Sequence, residues 1–114
     1  MADTVFGKIV RGEIPAQKVW DDELCIAIRD INPKAPTHIL VIPRDPIETV
    51  DDVPEEKKSL LGHLTWVATE LARREGLAKD GYRLVWNCRA NAGQEVAHIH
   101  LHLLGGRRMS WPPG

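Results

Sequence analysis

The run His98-Ile99-His100-Leu101-His102-Leu103-Leu104 places three of the chain's five histidines at i, i+2 and i+4, alternating with aliphatics. Read as a strand, it turns all three imidazoles to one face and the aliphatics to the other. Imidazole titrates near neutrality, so such a row offers lone pairs for attack and N–H groups for stabilising charge. Three chemistries compete for it. A metal site is the first, but i and i+4 in a strand lie about 13 Å apart. A Zn–N bond of about 2.0–2.1 Å leaves His98 and His102 barely able to share an ion, and no other Cys, His, Asp or Glu cluster completes a ligand set. A purely structural row of outward polar residues is the second, and strict alternation of three histidines weighs against it. Phosphate chemistry is the third. One imidazole attacks phosphorus, and neighbours about 6–7 Å away on either side donate hydrogen bonds and protons. Only His100 has an imidazole on both sides, which makes it the natural nucleophile.

Several elements must position that row. Asp3 or Thr4 can cap a short helix carrying Val5, Phe6, Ile9 and Val10 on one face, ended by Gly12. Ala16 to Trp20 reads as extended, with a turn at Asp21-Asp22. Leu24 to Arg29 and His38 to Ile42 read as strands separated by turn residues at Asn32-Pro33 and Pro36. Asp52 and Glu55 form a capping-box pattern ahead of a long helix in which Leu60, Leu61, Leu64, Val67, Ala68, Leu71 and Ala72 share a face and Gly76 supplies the stop. Tyr82 to Trp86 reads as a strand, residues 87–94 as a polar loop, and Ala97 to Leu104 as the histidine strand, broken by Gly105-Gly106. Short connections between strands predict an antiparallel sheet with a helix packed on one face, an α+β domain.

The totals bound the rest. A chain of 114 residues makes one small domain, residues 1–114, and a dimer interface would help it bury apolar surface. A net charge of −1 with scattered basic residues argues against nucleic-acid binding. Cys25 and Cys88 match no metal or redox spacing and are expected to be free thiols. MADTVFGKIV lacks the pattern of a signal peptide, and no apolar run approaches the roughly 18 residues of a membrane span. The expectation is a cytoplasmic protein without membrane contact.

Beyond the triad, the chain contains FGKIVRGEIPA, DINPKAPTHILVIP, LLGHL and GQEVAHIHLHLLGGRRMSWPPG, in that order. This series, with the His-φ-His-φ-His-φ-φ run (φ aliphatic), resembles the histidine triad (HIT) superfamily, and within it the histidine triad nucleotide-binding branch, over nearly the whole chain. The resemblance implies a homodimer of α+β protomers, each with a five-stranded antiparallel sheet and one long and one short helix, the two sheets joining into one. It implies a purine nucleoside phosphoramidase that needs no metal or other cofactor and also cleaves aminoacyl adenylates. Carried over, His100 is the nucleophile, His98 and His102 contact the phosphate and assist proton transfer, and His38 supports the triad from a neighbouring strand. Asp30 holds the ribose hydroxyls, as a carboxylate with two acceptor oxygens can. Val5, Phe6, Ile9, Ile28 and Ile31 build the purine pocket, Asn87 and Gln94 contact the phosphate side, and Trp111 in the tail 105–114 reaches the partner's site. Glu95 stands where animal members carry serine and bacterial members often carry glutamate, which points to the bacterial type. A dinucleoside polyphosphate hydrolase is the alternative inside the superfamily, although such enzymes lack the GGRRMSWPPG tail. A nucleotidyltransferase would carry glutamine where this chain has His102. A regulatory nucleotide-binding scaffold with vestigial hydrolysis is the reading from outside enzymology. With ordinary imidazole behaviour, turnover is expected to fall below about pH 6.

Overall fold

The computed structural model describes residues 3–114; Met1 and Ala2, which open the stretch read as lacking a signal sequence, lie outside the described residues. The chain runs α1 (Val5–Val10), β1 (Lys18–Asp21), β2 (Cys25–Arg29), β3 (Thr37–Pro43), α2 (Lys58–Arg74), β4 (Tyr82–Val85) and β5 (Leu101–Gly105). The five strands form one antiparallel sheet in the order β1-β2-β3-β5-β4. This is the α+β architecture that the sequence predicted.

Alternation along the strands sorts the sheet into two faces. Ala27, Ile39, Val41, Leu101 and Leu103 point to one side and pack with Leu64, Val67, Ala68, Leu71 and Ala72 of α2. Ile26, Ile28, Leu40 and Ile42 point to the other, where Phe6 of α1 covers them. Strand β3 is therefore apolar on both faces, which explains why HILVI reads as a continuous hydrophobic run rather than an alternating one. Helix α1 has only six residues and is set by its cap, with the Gly7 N–H donating to Thr4 Oγ1 at 3.0 Å.

Helix α2 begins later than the capping-box pattern predicts. Asp52 ends a 3-10 turn (Val50–Asp52), Glu55 opens another (Glu55–Lys57), and the helix starts at Lys58 without a side-chain cap. The Asp52 carboxylate is engaged elsewhere, accepting from Thr49 Oγ1 at 2.7 Å and from Arg89 Nη2 at 3.1 Å. The far end is as expected. Gly76 takes φ +74°, and the Leu77 and Gly76 amides close back on the Ala72 and Arg73 carbonyls at 2.9 and 3.1 Å.

The histidine strand is shorter than Ala97 to Leu104. Regular pairing starts at Leu101, opposite Val41 of β3. Beyond that point β3 ends in Pro43, which has no N–H to offer, and its carbonyl accepts from the His98 ring at 2.7 Å. The Ile99 amide turns instead to the Ile47 carbonyl at 2.8 Å. Alternation survives the loss of pairing, since Ile99 still joins the α2-side core while His98 and His100 meet Phe6 on the other side. Among the described residues, no helix is long and apolar enough to cross a membrane.

Candidate active site

Two strand positions, His38 in β3 and His102 in β5, and the unpaired segment that leads into β5 bring the histidines together. In register, His102 lies between Leu40 of β3 and Val85 of β4, and His38 faces Leu104, so His38 and His102 are diagonal neighbours on the α1 side. His38 Nε2 stands 2.9 Å from His102 Nδ1 and 3.5 Å from Asp30 Oδ2. The His100 ring centre is 5.0 Å from that of His102 and 4.8 Å from Phe6, edge to face.

The hydrogen bonds fix what each imidazole can do. An amide N–H can only donate, so the bond from Lys34 N to His38 Nδ1 at 3.0 Å makes Nδ1 an acceptor. The proton of neutral His38 then sits on Nε2 and is donated to His102 Nδ1, which leaves the His102 proton on Nε2. His100 is wired the other way. A carbonyl can only accept, so Nδ1–H donates to the His98 carbonyl at 2.9 Å and the lone pair is at Nε2. The middle histidine thus presents a nucleophilic nitrogen, and His102 beside it presents an N–H donor. His98 donates its Nε2–H to the Pro43 carbonyl and is 1% exposed; its backbone carbonyl orients His100.

Burial keeps these rings neutral. Desolvation lowers the pKa of His38, His98 and His100 below the ordinary 6.5 and pushes His102 down to about 4, helped there by the neighbouring His100 and His38. The pull of Asp30 on His38 is real but smaller than the effect of burial. A neutral His100 keeps its lone pair to lower pH than an ordinary imidazole would.

Asp30, His38 and His102 have the composition of a metal site, with one ligand atom each within 4.8 Å of the others. Their protons argue otherwise. With His38 Nδ1 accepting from Lys34, neutral His38 has no lone pair at Nε2 to give a metal. A second such cluster, Asp22, Cys25 and His63, lies on the α2 side. There the Asp22 carboxylate already accepts from Trp20 Nε1, His63 Nε2, and the Leu24 and Cys25 amides, at 2.7–2.8 Å. Burial beside Asp22 pushes the Cys25 thiol up to about 12, so this cluster is a structural knot.

Beside the histidines, a cavity of about 310 Å³ opens between α1 and β2. Val5, Phe6, Ile9, Ile28 and Ile31 wall it with apolar surface, and Asp30 joins the lining. The sequence reading missed Ile14 and Pro15, which also line it; they lie past the Gly12 stop, where helical spacing gives no signal. Ile31 is 92% exposed, so this wall is open on one side. A larger cavity of about 410 Å³, lined by Gly76, Asp80 and Arg107 among others, shares no lining residue with it, whereas the first is walled by Phe6, which packs on His100, and by Asp30, which lies 3.5 Å from His38. The remaining expected residues are not drawn in. Gln94 spends its amide on the loop, accepting from the Arg89 amide at 2.8 Å and donating to the Glu48 and Val96 carbonyls at 2.7 and 3.0 Å. Asn87 is half-buried where the loop begins and Trp111 is 82% exposed, whereas Glu95, though exposed, is near enough for its charge to act on His100 against the effect of burial. Arg89 was not foreseen. At φ 63° and ψ −165° it holds a backbone that disfavours side chains, and its guanidinium bridges Asp51 and Asp52 at 2.8 and 3.1 Å.

Comparison with known proteins places this arrangement. The HIT domain family model matches residues 11–109. The purine nucleoside phosphoramidase of Escherichia coli K12 is 54% identical over 105 residues, 92% of this chain and 88% of that one. The crystal structure of a HIT family hydrolase from Legionella pneumophila Philadelphia 1 superposes with a TM-score of 0.96 at 53% identity, covering 98% of this chain and all (100%) of the other. A histidine triad protein from Clostridium difficile gives a TM-score of 0.93 at 37% identity, with 96% of each chain covered. The chain belongs to the HIT domain family.

Proposed function

We propose that this chain is a purine nucleoside phosphoramidase, acting on adenosine and guanosine 5′-phosphoramidates through a covalent nucleotidyl-histidine. The observation that carries the reading is the wiring of His100: Nδ1–H is tied to the His98 carbonyl, Nε2 keeps its lone pair with no hydrogen-bond partner among the described residues, and the ring packs on Phe6, which walls a base-sized apolar cavity with Asp30 in its lining. The 54% identity to the E. coli phosphoramidase supports the same substrate class.

The base lies against Phe6, Ile9 and Ile28, and Asp30 accepts the ribose hydroxyls. His100 Nε2 attacks phosphorus as the P–N bond breaks, and the nitrogen takes up one proton and leaves as the amine. The His102 Nε2–H, presented by the His38–His102 pair, stabilises the charge building on the phosphoryl oxygens. Water then attacks the nucleotidyl-imidazole, releases the monophosphate and returns a proton, restoring the His100 lone pair. Two displacements at phosphorus give net retention. The same attack opens the acyl phosphate of aminoacyl adenylates. His98 and Glu95 lie on the leaving-group side of this scheme.

The working form is a homodimer in the cytoplasm, each protomer a single domain from residue 1 to 114 including the tail 105–114. The unpaired outer edge of β4, half-buried throughout, supports sheet-to-sheet pairing, and the exposed Trp111 supports a tail that reaches the partner's site.

The test is steady-state hydrolysis of adenosine 5′-phosphoramidate with chelator present and diadenosine polyphosphate as competitor. Metal-independent release of AMP, favoured over the dinucleotide and abolished in His100→Ala, is the expected result. AMP binding without turnover of either substrate would replace this reading with that of a nucleotide-binding module.

A further inference from the structure

The tautomer of His38 depends on one backbone amide, that of Lys34, and something must hold that residue in place. The turn around it offers little. Asp30 caps the Asn32 amide at 2.8 Å, and among the described residues the Lys34 ammonium reaches only the Asn32 carbonyl at 3.1 Å, in an exposed stretch. The anchor comes from 73 residues away, where Arg107 donates both Nε–H and Nη2–H to the Lys34 carbonyl at 3.2 and 2.9 Å. A third N–H, on Nη1, goes to the Arg108 carbonyl at 3.2 Å and steadies the guanidinium. A second contact sits beside the first. Gly106, at φ +91°, lies so close to Pro36 that an added Cβ would stand 2.8 Å from the proline Cβ. The segment leaving β5 thus grips the Asp30–His38 turn by a guanidinium fork and by backbone contact.

We infer that Arg107 is a positioning residue for the histidine chemistry: by clamping the Lys34 carbonyl it holds the Lys34 amide on His38 Nδ1, which keeps the His38 proton on Nε2, on His102, and the His102 proton on Nε2. Arg107 reaches none of these rings itself. Without the clamp, Lys34 is free to withdraw its amide, both nitrogens of His38 compete for the proton, and His102 loses its fixed donor direction. The groups that face His38 are Asp30, Lys34, His100 and His102, so a change at Lys34 is read directly in the titration of this set. The kinetic consequence rests on the phosphoramidase reading; the tautomer consequence does not.

The experiment is nitrogen-15 NMR of the imidazoles in the full-length chain, wild type against Arg107→Ala, Arg107→Lys and Arg108→Ala, with pH profiles of kcat and KM for adenosine 5′-phosphoramidate. In the wild type, His38 should show an unprotonated Nδ1 and a protonated Nε2. Arg107→Ala should mix the two tautomers, lower kcat by up to about 100-fold with a smaller change in KM, and move the acid limb. Arg107→Lys, which can restore one N–H of the fork, should recover part of both effects, and Arg108→Ala should match the wild type. If Arg107→Ala proves unfoldable, Arg107→Lys alone decides, with partial tautomer mixing expected. A His38 spectrum and pH profile unchanged by loss of Arg107, whatever happens to Tm or total activity, would overturn the inference. A wild type with the assigned tautomers but no turnover would overturn the phosphoramidase reading alone, since the spectra still decide on Arg107.

Discussion

Acid should destabilise this fold through His102 before it touches most carboxylates. In the unfolded chain His102 titrates near its ordinary 6.5, whereas in the folded protein burial and two neighbouring imidazoles hold it at about 4. The folded pKa lies below the unfolded one, so protons bind the unfolded chain preferentially. The loss of stability therefore begins as pH falls through about 6.5 and is complete near 4. The drop from 6.5 to about 4 is worth about 3 kcal/mol, a large part of the stability of a small domain. Other groups also titrate in this window, and the comparison variant removes them. His102→Gln does not ionise there, so the titrations that the two proteins share cancel in the comparison, apart from the coupling of His38 and His100 to His102 itself. Urea unfolding of both proteins between about pH 7.5 and pH 4 isolates the effect. The difference in unfolding free energy should be constant above about pH 7 and then change by about 3 kcal/mol in favour of the glutamine variant. Parallel curves across the range would refute a buried, neutral His102 and with it the proton wiring of the site.

Three further outcomes follow from the geometry. Gly105→Ala would drive a methyl to 2.6 Å from Leu77 Cδ1, and calorimetry should show a loss of about 1–3 kcal/mol. Asp22→Ala strips the partners of the Trp20 indole, the His63 ring and two backbone amides, so chemical denaturation should report a loss of about 3 kcal/mol with catalysis little altered in the surviving folded protein. Ile9→Ala opens the cavity wall, and steady-state kinetics should show KM for the phosphoramidate rising about tenfold while kcat changes less.

What the sequence makes legible depends on whether a feature is local. The aliphatics of HILVI and the period of α2 from Leu60 to Ala72 announce their elements because packing follows their spacing. The two faces of the histidine run are legible even though pairing begins only at Leu101, because side-chain alternation outlasts the ladder. Where local patterns mislead, a distant partner has intervened. The Asp52–Glu55 box fails because Asp52 answers to Thr49 and Arg89. Gln94, expected on the phosphate side only from the resemblance, has its amide hydrogen-bonded to the Glu48 and Val96 carbonyls, contacts no local pattern announces. The contacts that assign protons, Lys34 to His38, His38 to His102 and Arg107 to Lys34, arise from folding a turn against a strand end and leave no periodic trace.

Helix α1 gives the cavity beside Asp30 part of its wall, yet six residues are too few for a helix to persist in water unaided. Its hold on the sheet is buried Phe6, half-buried Ile9 and Val10, and a long bond from Arg44 to the Val10 carbonyl, with no backbone ladder, so it should open more readily than the strands beneath it. A ligand that packs against Phe6 and Ile9 binds only the closed form and shifts that local equilibrium by mass action. The amides of Lys8, Arg11 and Gly12, bonded within and just after α1, should then exchange with solvent more slowly when the cavity is filled, while those of β3 hardly change. Occupancy of the site would be written in the exchange rates of one short helix.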